Sequence, residues 1–427
     1  MKGIFGNIRE SQYVRNVSVL ASGTIIVQAI SIIISPVLSR LYTPGDYGLF
    51  AVFMSCVGVL SVICCFRYEL AILIPKKNSE ADSLLKLSLI IAALFSLLIL
   101  IVTIIFNTQL TSLLGNDKIG LWLYFLGPML LCAGITQAFT FWFNRSKSYK
   151  TISGVRVFQS SANSGLSLLL GFLKQNSFGL ILSSIVSQIL SSIFLLKRSA
   201  VKVNLRSVDL SGLKSIAVKF KEFPYFNLPA ALLDTFSINS IILLLNYFFS
   251  ETVTGSYSFA LRLLSIPTVV IGAAIGQVFF QKISEADNRG EKITGIVQKS
   301  WKTLFLIGII PTVIIFFFGK ELFTFIFGQS WAEAGIISKY LCLLTFFTFI
   351  SSPTSSAMIV LKKQKTVLMF NIAAFIYRPL AILWGYYTNN FLNGIILYVI
   401  LEIIQVMLYN FILLKSSSKS DRMTGNK

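Results

Sequence analysis

The chain has 427 residues, of which 55% are hydrophobic and 13% charged, and its mean hydropathy is +0.77. Soluble domains carry about 25% charged residues, so a soluble enzyme is excluded and a polytopic helical membrane protein remains. The absence of histidine also excludes imidazole catalysis, histidine metal ligation and the usual near-neutral proton switch.

A bilayer core about 30 Å thick takes roughly 20 apolar residues per helix, and such segments recur from end to end. The first follows a polar, basic Met1–Asn16. It is too long for a signal peptide and has no small-residue cleavage site behind it, so it is expected to stay attached. In chain order the predicted spans are 14–40, 46–74, 83–106, 120–143, 152–173, 177–196, 224–249, 252–281, 301–326, 331–361, 364–387 and 391–414, twelve in all. Seven of the ten prolines (Pro36, Pro128, Pro229, Pro267, Pro311, Pro353 and Pro379) lie inside spans, where each removes a helix hydrogen bond and favours a kink. Gly272-x-x-x-Gly276 predicts a close helix contact. The five cysteines, Cys56, Cys64, Cys65, Cys132 and Cys342, fall in apolar stretches without metal-site or disulfide spacing and read as packing residues.

Lys and Arg set the orientation. With a cytoplasmic N-terminus, 30 of the 37 basic residues fall on inside segments and five (Arg40, Lys118, Lys174, Lys320 and Lys339) outside, while Arg262 and Arg378 sit mid-span. Both termini are therefore expected in the cytoplasm, and the split accounts for most of the +20 net charge. The bases are spread over short loops and form no single patch, so no nucleic-acid partner is expected.

The longest inside loop, Lys197–Phe223, divides the chain into an N-terminal lobe (1–196) and a C-terminal lobe (224–414), with a connector at 197–223 and a cytoplasmic tail at 415–427. Within the loop Leu205, Val208, Leu213, Ile216 and Phe220 recur near helical spacing beside Lys202, Arg206, Lys214 and Lys221, a pattern suited to an amphipathic helix on anionic lipid. The halves resemble each other: Gly48, at the start of span two, and Gly255, at the start of span eight, stand 207 residues apart. The expected fold is all-α: twelve transmembrane helices in two pseudo-symmetric six-helix lobes around a central cavity, related by an axis along the membrane normal.

A charge near the bilayer centre costs about 2.5 kcal/mol or more, so the embedded ones need a reason. Asp234, Arg262 and Glu402 fall near mid-span, and Arg378 in the outer half of its span. Arg67, Glu69 and Arg156 lie toward the inside, and Arg40 toward the outside. Polar residues form stripes on single helix faces: Thr24, Gln28, Ser31 and Ser35; Arg156, Gln159, Asn163 and Ser167; Thr254, Ser258, Arg262 and Ser265. Such faces look onto water or onto another helix. Interhelical hydrogen bonding is the plain account of each Ser or Thr, whereas arginines at graded depth favour a hydrated cavity. Asp234 and Arg262 are candidates for an ion pair between neighbouring helices. No Gly-x-x-x-x-Gly-Lys-[Ser/Thr] phosphate loop appears, so transport driven by the chain's own ATP hydrolysis is not expected.

Arg40-Leu-Tyr-Thr-Pro-Gly-Asp-Tyr-Gly48-Leu-Phe, followed by Phe66-Arg-Tyr-Glu-Leu-Ala-Ile-Leu-Ile-Pro75, resembles the opening of the Wzx-type O-antigen flippases. Phe223-Pro-Tyr-Phe-Asn-Leu-Pro-Ala-Ala-Leu-Leu-Asp234, Gly255-Ser-Tyr-Ser-Phe-Ala-Leu-Arg-Leu-Leu-Ser-Ile-Pro267 and Gln277-Val-Phe-Phe extend the resemblance through the second half. Gly45 departs from it, since an acidic residue is usual before Asp46. The resemblance places the chain in the multidrug/oligosaccharidyl-lipid/polysaccharide exporter superfamily. It implies a non-enzymatic flippase of the bacterial inner membrane, without cofactor, that turns an undecaprenyl-pyrophosphate-linked oligosaccharide toward the periplasm. Membrane lipid and other O-antigen assembly proteins would be its partners.

Arginines suit an anionic pyrophosphate through planar, bidentate contacts. On this basis Arg67 and Arg156 would receive the head group, Arg262 would hold it midway, and Arg378 and Arg40 would assist release. Gln159 and Asn163 would contact sugar, and Asp234 and Glu402 are candidates for proton or sodium coupling. The alternatives are a multidrug antiporter on the same fold, whose cationic cargo would want acids; an O-antigen polymerase or ligase, which would want a larger outside loop; and an exporter of another lipid-linked precursor.

Overall fold

The computed structural model describes residues 12–174, 176–199, 210–272, 279, 283, 293–354, 357–361 and 363–424. Among the described residues all regular structure is helical. The long helices are α1 (Gln12–Leu41), α2 (Pro44–Ile63), α3 (Asn78–Ile105), α4 (Leu126–Arg145), α5 (Tyr149–Lys174) and α6 (Ser177–Arg198), then the short α7 (Leu210–Lys219). They continue with α8 (Leu228–Phe248), α9 (Glu251–Leu264), α10 (Ile293–Phe327), α11 (Ala332–Ser351), α12 (Gln364–Tyr387) and α13 (Phe391–Thr424).

A helix stands at each of the twelve expected spans, but among the described residues eleven helices are both long and apolar enough to cross a membrane by composition. The exception is α5, whose apolar run is interrupted by Arg156, Gln159, Ser160, Ser161, Asn163 and Ser164. At 26 residues it is long enough to span. Its polar stripe is what sets it apart.

Several predicted boundaries are corrected, among them the start of α10 at Ile293 where 301 was expected and the end of α11 at Ser351 where 361 was expected. Span two was expected to reach residue 74, yet α2 ends at Ile63 and gives way to tight turns and a short helix, Tyr68–Ala71. The break falls at Phe66 and Arg67, both left-handed with φ of 50° and 64°. Span eight divides after Leu264, where Pro267 cannot donate to the carbonyl four residues back. Helix α13 runs unbroken to Thr424, beyond the expected end at 414. In α10, helical geometry is interrupted at Phe318, seven residues after Pro311. The Gln277-Val-Phe-Phe motif, apart from Phe279, and Gly276 lie outside the described residues.

The chain forms two compact units. One comprises Met1–Tyr42 and Leu49–Asn239, the other Thr43–Gly48 and Ser240–Lys427. In the first, α1 packs on α5, α5 on α6, α4 on both α3 and α6, and α7 on α3. In the second, α11 is central, in contact with α9, α10 and α13, while α12 packs on α13.

Thr43–Gly48 belongs to the second unit because two glycines permit it. Pro44 starts α2 behind a reciprocal cap: the Thr43 N–H and hydroxyl donate to Asp46 Oδ2 at 2.9 and 2.7 Å, and the Asp46 N–H donates to Thr43 Oγ1 at 3.3 Å. A Cβ on Gly48 would lie 1.8 Å from the Glu251 carbonyl oxygen, and one on Gly255 would lie 1.7 Å from that of Pro44. The two glycines singled out by the repeat thus admit each other's helix start. Tyr47 continues the contact, edge-on to Phe259 and Trp331 with ring centroids 5.2 Å away in each case.

The amphipathic stretch of the connector differs from its expected place on lipid. Its described part, α7, buries Leu213 and Ile216, with Phe220 just beyond, against Tyr68, Ala71, Ile72, Leu84 and Leu85. Lys219 Nζ pairs with Glu80 at 2.8 Å, and the Tyr68 hydroxyl donates to the Ala217 carbonyl at 3.1 Å. The apolar face therefore satisfies itself on protein. Leu205, Val208, Lys202 and Arg206 lie outside the described residues.

Candidate functional site

The polar stripe of α5 is answered by α4 and α6. Gln159 Nε2 donates to Gln188 Oε1 at 2.5 Å, Gln188 Nε2 donates to Thr136 Oγ1 at 3.0 Å, and Thr136 and Ser192 hydroxyls lie 3.2 Å apart. Farther along, the Ser167 and Ser183 hydroxyls are 2.6 Å apart, and the Tyr42 hydroxyl donates to the Ser167 carbonyl at 2.6 Å. Gln159 is therefore tied to its neighbours, as interhelical hydrogen bonding predicts. Asn163 is half-buried, with a buried Oδ1 that has no hydrogen-bond partner among the described residues. Gln188 and Thr136 escaped the sequence reading, although Ser184, Gln188, Ser191 and Ser192 repeat at the helical spacing that marks a polar face.

Arg156, one turn before Gln159, is exposed and makes no hydrogen bond or ion pair with a described residue. Arg262 on α9 is exposed in the same way, and so is Arg40 at the end of α1. The hydroxyls that share the Arg262 stripe turn inward on their own helix: Thr254, Ser258 and Ser265 donate to the carbonyls of Ser250, Thr254 and Leu261 at 2.8, 2.7 and 2.7 Å. Arg262 has no such outlet, so its charge is offered outward. The sequence makes Asp234 and Arg262 candidates for an ion pair. Neither residue takes part in an ion pair among the described residues, and Asp234 is half-buried on α8.

Arg378 and Glu402 correct the sequence expectation in a different way. Expected to act separately, one on cargo and one on an ion, they are each other's partner, Arg378 Nε donating to Glu402 Oε1 between α12 and α13. Their side chains are only 12% and 8% exposed. Buried Tyr257 and Tyr398 lie close enough to feel both charges. Paired charges so far from solvent are held by each other first, and the pair must open before either is free for cargo or an ion.

Arg67 also has a partner. Its guanidinium Nη1 is 3.7 Å from Glu69 Oε1, and the exposures are unequal: 25% for Arg67 and 2% for Glu69. Glu69 Oε2 and Arg67 Nε are buried with no hydrogen-bond partner among the described residues. Burial pushes the Glu69 carboxyl above the usual carboxylate range, opposed by its own backbone N–H and by Arg67. Residues two apart do not face each other on a helix. The left-handed break at Phe66 and Arg67 takes the two side chains off a regular helix, and no Gly or Asn at either position marks it in advance.

The cysteines pack as expected, all with free thiols: Cys64 donates to the Leu130 carbonyl at 3.1 Å, and Cys342 approaches that of Thr312 at 3.7 Å.

The architecture is shared with solved membrane transporters. An inward-facing multidrug resistance MATE family transporter of the MOP superfamily superposes with a TM-score of 0.70 at 15% identity, covering 93% of this chain and 99% of the other. The lipid II flippase MurJ in an inward closed conformation gives 0.72 at 13% identity, covering 94% and 91%. At these identities the likeness is one of fold. In sequence, the chain is 21% identical over 422 residues to an uncharacterized membrane protein in the cps region of Klebsiella pneumoniae, covering 93% of this chain and 81% of that protein. Residues 37–336 match the family described as polysaccharide biosynthesis protein, and with most of its length so matched the chain belongs to that family.

Proposed function

We propose that this protein is a flippase that moves an undecaprenyl-pyrophosphate-linked O-antigen repeat unit from the cytoplasmic to the periplasmic leaflet of the bacterial inner membrane by alternating access. The observation that carries this reading is that the guanidinium groups of Arg156 and Arg262, on membrane helices, are exposed and have no hydrogen-bond or ion-pair partner among the described residues. Arg262 lies eleven residues into its span, about 17 Å at the helical rise. A cation at that depth is costly unless it meets water or an anion, and a pyrophosphate supplies the anion in the geometry guanidinium prefers.

In this scheme both termini lie in the cytoplasm, following the distribution of Lys and Arg. Arg67 and Arg156 receive the head group, Arg262 holds it midway, and Arg40 assists release together with Arg378 once its pair with Glu402 opens. Asn163, with an unsatisfied oxygen, meets sugar hydroxyls, and Gln159 does so at the expense of its bond to Gln188. Asp234 and Glu402 are the acids of the spans suited to ion coupling, Asp234 being the one without an ion-pair partner among the described residues.

The test replaces Arg262 and reads surface O-antigen at matched membrane expression. Arg262→Ala is expected to lower surface glycan at least tenfold, about 1.4 kcal/mol, with lipid-linked repeat units accumulating inside, and Arg262→Lys to retain part of it. Full function in both removes Arg262 from the pathway. An intact surface glycan with altered drug resistance in a gene deletion replaces the flippase reading with that of a multidrug antiporter.

A further inference from the structure

We propose that the wide helical turn Phe223–Asn227 is a saccharide subsite, in which the rings of Tyr225 and Phe226 stack on the apolar face of the sugar joined to the pyrophosphate while Arg67 holds the phosphates. The inference rests on the flippase reading and deepens it, because it gives the glycan part of the cargo its own residues at the cytoplasmic mouth.

The shape of the turn follows from its prolines. Pro224 and Pro229 have no N–H to give. Pro229 cannot donate to the Tyr225 carbonyl four residues back, and the Leu228 N–H bonds to the Phe223 carbonyl, five residues back. That π-type geometry is rare in helices and recurs at functional sites. None of the five residues is buried. Phe223 packs on the apolar cluster that seats α7, which anchors one end of the turn. Tyr225 and Phe226 are left 70% and 73% exposed, side by side.

Exposed rings in a cluster call for a ligand, and the residues around these two narrow its chemistry. Glu222 and Asn227 are exposed as well, with no hydrogen-bond or ion-pair partner among the described residues. A pyranose presents a C–H face and a rim of hydroxyls. Aromatic rings take the first, and a planar carboxylate and amide accept from and donate to the second. Lipid is the poorer match. Aromatic residues do gather at membrane interfaces, but a helix that binds anionic lipid carries an excess of Lys and Arg. Here Lys221 is offset by Glu222.

The turn is also in the right place. It opens the span Phe223–Phe248 and packs on the Tyr68–Ala71 helix, and Tyr225 lies close enough to Tyr68 to feel its charge. Arg67 stands directly before that helix, with its side chain 25% exposed. An anion on Arg67 therefore has the aromatic pair beside it. In the cargo the first sugar is bonded to the pyrophosphate, so the group that follows the phosphates is the one that meets Tyr225 and Phe226.

Two probes of equal charge isolate the glycan contribution: N-acetylglucosaminyl farnesyl pyrophosphate and methyl farnesyl pyrophosphate, the same diester without a sugar. The purified full-length wild type is expected to bind the glycosylated probe about tenfold more tightly. The double replacement Tyr225→Leu with Phe226→Leu keeps apolar bulk and removes the aromatic faces. It is expected to bring the two affinities within about twofold of each other, with binding of the methyl diester and the thermal unfolding temperature unchanged. Arg67→Gln is expected to weaken both probes alike. Equal wild-type affinity for the two probes, lowered by Arg67→Gln, overturns the inference and leaves the flippase reading standing. So does a sugar preference that survives in the leucine variant, which makes the rings a membrane-interface anchor, and so does an equal loss of both probes in that variant. No binding of either probe, or binding indifferent to Arg67→Gln, overturns both. If the double variant does not fold, Phe226→Leu alone is read in the same way, and the wild-type preference still decides.

Discussion

In the N-terminal unit Arg156 stands exposed on α5, without an ion-pair partner among the described residues, next to a neutral chain of Gln159, Gln188 and Thr136. In the C-terminal unit Arg378 is closed against Glu402, with buried tyrosines around the pair. Both arginines are embedded cations in polar surroundings, yet one charge is left available and the other is neutralised by a neighbouring helix. A membrane-embedded arginine is thus directly available as a ligand when its local partners are neutral. Where a carboxylate lies within reach, the first account of the charge is structural.

The largest effect that would sharpen this contrast is expected at the closed pair. Removing one member strands the other in a buried site, and breaking such a pair costs about 3–5 kcal/mol, whereas replacing both with apolar residues is often nearly neutral. Glu402→Ala is therefore expected to lower the thermal unfolding temperature of the purified protein far more than the double replacement Arg378→Met with Glu402→Leu. Equal losses would show that the two side chains do not depend on each other. Arg156→Ala, by contrast, is expected to leave that temperature unchanged.

A middle-sized effect is expected at the glycines. An added methyl at Gly255 would meet the Pro44 carbonyl oxygen at 1.7 Å, and overpacking of this kind typically costs about 1–3 kcal/mol. Gly154 on α5 has nothing within 4 Å of an added methyl, so Gly154→Ala is expected to be neutral or to gain up to about 1 kcal/mol of helix propensity. Denaturation curves should therefore show a loss for Gly255→Ala and none for Gly154→Ala, and an equal loss in both would break the account of the close helix crossing.

The smallest effect belongs to the neutral chain of the N-terminal unit. Hydrogen bonds between membrane helices average about 0.6 kcal/mol in double-mutant cycles. A cycle of Gln159→Ala and Gln188→Ala is expected to show coupling of that size. Coupling of several kcal/mol would mean that the chain, and not packing, holds α5 in place.

Much of this was legible from residue order alone. Helix existence followed from apolar run length, because a lipid core satisfies no backbone group and forces each crossing segment into a helix. The twelve spans, the stripes on α5 and α9 and the correspondence of Gly48 with Gly255 in a repeat needed only spacing, whereas the contact between those two helix starts did not show in the order of residues. Family membership followed from short motifs around Tyr42–Gly48, Phe66–Pro75 and Phe223–Asp234. Partnership was not legible. Arg378 and Glu402 are 24 residues apart on different helices, and only the packing of α12 on α13 closes that distance. Arg67 meets Glu69 because two residues adopt left-handed backbone where a continuous helix was the simpler expectation. The connector helix turned to protein because Tyr68, Leu84 and Leu85 offered an apolar seat that local periodicity does not reveal. One-dimensional order determines how far each segment is driven from water. Which charge cancels which depends on distances of a few ångströms between chain-distant atoms, and those exist only once the helices have packed.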